Sequence, residues 1–190
     1  MKKSVIAALA LSLFLMAGAA SASVIGIFGD TGATTCAKAF TAQYTTVTVY
    51  VCAMLDDTAA ISACEFGATG VNLPPNIITV TWDTTLVIGN ILTPDGVALA
   101  FPTPKTAPLA YLGSIAYFLL APLPANSVMQ IVPSGAGNLV VVDAATANEL
   151  PAEGWRLIAN CVPGGIYGDC LCEATIATDE AAWGQIKALY

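Results

Sequence analysis

Thr45 to Ala53 reads TTVTVYVCA. Val47, Val49 and Val51 alternate with Thr46, Thr48, Tyr50 and Cys52, a period of two that puts the valines on one face of a strand. The same alternation returns at Asn76–Asp83, NIITVTWD, where Ile78, Val80 and Trp82 share a face opposite Ile77, Thr79 and Thr81. A strand with one apolar face needs a second layer to cover it. Further strand candidates are Ser23–Gly29, Ala60–Ala68, Leu86–Ile91, Val97–Phe101, Ser127–Val132, Leu139–Asp143 and Arg156–Cys161, separated by Gly, Pro, Asn and Asp. No long helical pattern lies between them, so the sequence predicts an all-β, antiparallel sandwich rather than an α/β fold.

Leu109–Ala121, LAYLGSIAYFLLA, is almost wholly apolar, but Pro108 and Pro122 fence it off. It is short of the roughly 20 residues a membrane helix needs. A strand buried on both faces, or one bent near Gly113, is expected there. The period changes only at the end of the chain. Thr178 can cap a helix with Asp179 and Glu180 in its first turn, and Trp183, Ile186 and Tyr190 then fall on one side. A short amphipathic helix over residues 178–190, packed on a domain of residues 23–177, is the expectation.

The first residues, MKKSVIAALALSLFLMAGAASAS, have the form of an export signal over residues 1–22. Lys2 and Lys3 precede an apolar run, and Ala20-Ser21-Ala22 supplies the small-x-small cleavage pattern. No stop-transfer pattern follows, so no membrane span is expected after cleavage. Cleavage would leave Lys38, Lys105, Arg156 and Lys187 against thirteen acids. An exported, acidic chain lacks the clustered Lys/Arg that nucleic acids and anionic membranes require. The expected location is outside the cytoplasm: secreted, periplasmic or at the cell surface.

The chain contains no histidine. That removes Ser-His-Asp and Cys-His catalysis and His-ligated metals. Carboxylate-only hydrolysis stays open in principle, with Asp56, Asp57, Glu65, Asp83 and Asp143 as candidates, though no spacing marks two of them as facing each other across a cleft. Gly26–Thr35, GIFGDTGATT, lacks the lysine of a phosphate loop and reads as a turn; Asp30 and its hydroxyl neighbours have no regular cation-ligand spacing. No catalytic residue, cofactor site or metal site is assigned.

The six cysteines, Cys36, Cys52, Cys64, Cys161, Cys170 and Cys172, are all disulfide candidates. Cys161–Cys172, CVPGGIYGDCLC, has neither paired zinc-knuckle spacing nor a CxxC redox pair. Cys52 and Cys64 sit symmetrically about Asp56-Asp57 on what read as consecutive strands and could bridge directly. Cys161 can pair with Cys170 or Cys172 across Pro163-Gly164-Gly165, leaving the other to reach Cys36.

The run from Thr46 to Pro75 resembles the early strands of cohesin-like bacterial β-sandwich modules, through Val47, Val49, Val51, Ile61, Glu65 and Phe66. It departs from them in having Asn72-Leu73-Pro74-Pro75 where a Tyr-Asp-Pro-like turn is usual, and in its cysteine content. The resemblance implies an immunoglobulin-like or cohesin-like sandwich. The end, AAWGQIKALY, resembles a tail of uncharacterised exported bacterial proteins through Trp183, Gly184, Lys187, Leu189 and Tyr190. The expected function is a non-enzymatic module binding a protein or glycan. The alternatives are a surface-layer or filament subunit self-assembling by strand addition, with Ser23–Gly29 as donor, and, more remotely, the carboxylate-only hydrolase.

Overall fold

The computed structural model describes residues 22–165 and 170–172. The expected leader, but for Ala22, and the expected helix over residues 178–190 lie outside the described residues. Twelve strands are described: β1 (Ser23–Phe28), β2 (Ala37–Lys38), β3 (Thr46–Met54), β4 (Ala60–Thr69), β5 (Ile77–Trp82), β6 (Leu86–Asn90), β7 (Gly96–Thr106), β8 (Leu109–Phe118), β9 (Ser127–Val132), β10 (Val140–Asp143), β11 (Glu149–Gly154) and β12 (Arg156–Ala159).

One sheet runs β5-β8-β3-β1, and the facing sheet contains β6-β7-β4-β10. β11 pairs with both β10 and β1 and so joins the sheets along one flank. The last residues of β4 pair instead with β9, which leads through β12 to β2. The antiparallel expectation needs correction: β1 with β11 and β12 with β2 run parallel, so the sandwich is mixed. Among the described residues, the opposite flank, between β5 and β6, is open.

The alternation seen in the sequence is realised in the core. Val49, Val51 and Ala53 of β3 point inward with Ile61, Cys64 and Phe66 of β4, Val97 and Leu99 of β7, and Leu112, Ile115 and Tyr117 of β8. Tyr117 is fully buried, and its hydroxyl donates to the Val71 carbonyl at 3.0 Å, so the one polar atom it carries inward is paired. β8 takes up Leu109–Phe118 of the apolar stretch read above. It is a central strand between β3 and β5, with a bulge opposite Val51 and Cys52. Gly113 lies at that irregularity, where a Cβ would come within 2.5 Å of the Trp82 ring. The loop after β2 is tied down by Asn160, whose amide accepts from Phe40 N–H at 2.6 Å and donates to Leu123 O at 2.7 Å.

A second, smaller apolar cluster lies on the other side of the β3 sheet. Phe28, Ala33, Cys36 and Cys52 are buried there, with Tyr50, Tyr111 and Trp155 beside them. Two disulfides are present, Cys36–Cys172 and Cys161–Cys170. Cys52 and Cys64 are both free and buried. The direct bridge between them is not formed, because the two side chains face different clusters. β3 and β4 are consecutive but do not pair: β3 bonds β1 and β8, while β4 bonds β7, β9 and β10. The Asp56-Asp57 connection crosses between sheets, and Cys52 joins the outer cluster while Cys64 faces the main core. Burial pushes the Cys52 thiol up to about 12 and raises that of Cys64 further.

Candidate functional site

The five carboxylates read from the sequence are dispersed. Asp57 accepts from the Ser23 hydroxyl, and Asp83 is paired with Lys105. Asp143 accepts from the Thr58 hydroxyl and from the hydroxyl and N–H of Thr146. Those bonds, Thr58 first, hold its carboxyl down at about 2 and keep it ionised. Asp30 is likewise about 2: burial acts upward on it, but bonds from Thr35, Thr34 and Gly32 outweigh burial. Among the described residues, no group of three or more Cys, Asp or Glu is arranged to hold a metal ion.

Glu65 stands apart because it lies on the outer face of the β6-β7-β4-β10 sheet. The strand registers align two rows across that face. One runs Ile88, Ala98, Glu65, Val140, and the other Leu86, Ala100, Ala63, Val142. Apart from Glu65, the middle strands contribute alanines, and the flanking strands contribute leucine, isoleucine and valine, so the face is hollow along its centre. The resulting cavity has a volume of about 370 Å³. Ile88 is 78% exposed and Leu86 53% exposed along its rim. A smaller hollow of about 260 Å³ continues past Glu65 to Asp95 and Gly96.

Acids punctuate this trough. Glu65 is held by Ser134, whose hydroxyl donates to Oε1 at 2.6 Å, and by Asn138, whose amide donates to Oε2 at 3.1 Å. Each oxygen keeps acceptor capacity to spare. Glu149 lies at the far end, and no lysine or arginine lines either hollow. Lys105, at the end of β7, is paired with Asp83 and lines neither hollow, and Arg156 and Lys38 lie on β12 and β2. An apolar floor that no described residue covers, with a fixed carboxylate, suits recognition of an apolar ridge flanked by a cation. The sequence reading placed Glu65 in a strand but could not place Ala63, Ala98 and Ala100 beside it. The repeated alanines of Val97-Ala98-Leu99-Ala100 were the available signal.

No family model matches the chain, and no curated protein matches it in sequence. Among solved structures it is similar to one chain of a CaDoc0917–CaCohA2 complex at pH 5.5, with 15% identity, 72% of this chain and 99% of that chain covered, and a TM-score of 0.45. It is similar to a cohesin module from a Clostridium perfringens family 33 glycoside hydrolase, with 11% identity, 74% and 99% covered, and a TM-score of 0.42. It is also similar to a non-cellulosomal cohesin from the hyperthermophilic archaeon Archaeoglobus fulgidus, with 9% identity, 75% and 93% covered, and a TM-score of 0.38. The resemblance to cohesin modules is weak. No helix among the described residues is long and apolar enough to cross a membrane.

Proposed function

We propose that this chain is a non-enzymatic binding module that takes a protein partner in the trough of the β6-β7-β4-β10 sheet. The observation that carries the reading is the hollow apolar face itself, floored by Ala63, Ala98 and Ala100 and marked by the fixed carboxylate of Glu65. The partner offers an apolar ridge with at least one lysine or arginine, since the trough has acids and no cation of its own. The reading takes residues 1–22 as an export leader and the encounter as lying outside the cytoplasm, and the two disulfides support that location. The spread of Asp57, Asp83 and Asp143 over separate local partners supports binding over hydrolysis.

The test compares immobilised wild type with Ala98→Arg, Ala100→Arg and a control, Thr46→Arg, on the opposite sheet. Surface proteins of the producing cell and purified wall polysaccharide are passed over each. The trough reading expects a discrete protein held by wild type and the control, and lost from both trough variants. Retention of that protein by the trough variants, or retention of polysaccharide alone, overturns it.

A further inference from the structure

The open flank differs from the rest of the described surface. β5 ends one sheet and β6 ends the other, and residues 83–85 join them. Neither strand, IITVTW or LVIGN, carries a charge. Ile77 is 57% exposed, and its partner on β8, Phe118, is exposed beside it. Ile78, Val80 and Trp82 face the core but are only partly buried, because no strand among the described residues continues the sheet beyond them.

The backbone of β5 can be assigned direction. Asp83 N–H donates to Leu112 O at 2.9 Å, and the β5–β8 register runs without a shift. Alternation along an antiparallel ladder therefore turns Thr81, Thr79 and Ile77 toward β8. The N–H and C=O groups of Ile78, Val80 and Trp82 point outward, where the sheet ends. Natural edges of this kind are blunted by lysine, proline or a bulge. β5 has none of these.

We propose that a second copy of this chain adds its own β5 to this edge, antiparallel, about a two-fold axis at Val80. That register sets Val80 against Val80 and Ile78 against Trp82, so each copy covers the half-exposed end of the other's core. On the outer face it sets Thr79 against Thr81, a favourable hydroxyl pair. The strand is thus complementary to itself, as a two-fold interface requires. Charge favours this site too. The chain has a net charge of −7, but here the neighbouring ions Asp83 and Lys105 are paired with each other. The edge is locally neutral, so two acidic copies can approach there without charges in direct opposition.

This inference is independent of the trough. It is tested by sedimentation equilibrium of the purified chain, disulfides intact, from low to high micromolar concentration. Wild type is expected to form a dimer. Val80→Pro removes the central outward N–H, which an edge strand tolerates. Ile77→Lys with Thr79→Lys leaves every inward side chain in place and serves if the proline variant fails to fold. Each is expected to raise the dissociation constant roughly tenfold or more by blocking the open edge, while Ala98→Arg leaves it unchanged. A wild type that stays monomeric at high micromolar concentration, or a dimer unaffected by the lysine pair, overturns the proposal.

Discussion

Cys52 and Cys64 show how far a single residue's setting can depart from its place in the sequence. Symmetry about Asp56-Asp57 suggests a bridge, but Cys52 turns to the outer face of its sheet while Cys64 turns into the main core, which puts one sulfur in each of two clusters. Both thiols are held protonated by burial. Alkylation without reductant should modify neither cysteine in the folded chain and two in the unfolded chain, and reduction should bring the total to six, counted by intact mass. Modification of the folded chain would contradict the burial. Asp143 supplies a pH dependence at the same scale. Its carboxyl titrates lower in the fold than its ordinary value of 3.8, so its contribution is complete above that value and is lost as pH falls toward about 2. Thr58→Val removes the first of the bonds responsible. The acid-unfolding curve, followed by circular dichroism, should move to higher pH; superimposable curves would count against the assignment. Tyr117→Phe leaves the Val71 carbonyl without its partner in the core and should cost about 1–2 kcal/mol in denaturant unfolding.

Elements were legible where one face is buried and the pattern is local. β3 and β5 can be read from alternation, because their core-facing apolar residues recur every second position. β11, ELPAEG, could not. Its proline and two glutamates oppose strand propensity, and it is a strand because β10 and β1 supply ladders on both sides. The pairing of β1 with β11 joins residues more than a hundred positions apart, which no local pattern encodes. It also changes what the first strand can do. Ser23–Phe28 is paired on both sides and largely buried, so it is an internal strand of the sandwich and cannot act as the free donor strand considered from its sequence. Turns set similar limits. Gly70 has φ +69° and its added Cβ would lie 1.9 Å from the Val128 carbonyl oxygen. Gly70→Ala should destabilise the chain by roughly 1–3 kcal/mol, read from the shift of the urea midpoint. An unchanged midpoint would show that the β4 exit relaxes freely.

At the scale of the molecule, two sheets joined along one flank by β11 leave a hollow face and an open edge exposed. The sequence announced the sandwich, and Glu65 was visible as a strand acid, but the hollow needed the relative register of four strands drawn from four separate parts of the chain. The Cys36–Cys172 disulfide closes a separation of 136 residues and restrains the unfolded chain strongly. Its loss through Cys36→Ser with Cys172→Ser should cost roughly 2–5 kcal/mol. The central claim, that the β6-β7-β4-β10 face docks a protein, is tested most directly by placing a photo-crosslinking residue at Ile88 on the rim and, separately, at Thr46 on the opposite sheet, then irradiating each on the producing cells. The account predicts a discrete protein adduct from position 88 that is competed away by wild type and not by Ala98→Arg. Equal adducts from both positions, or an adduct at position 88 competed equally by Ala98→Arg, would contradict it.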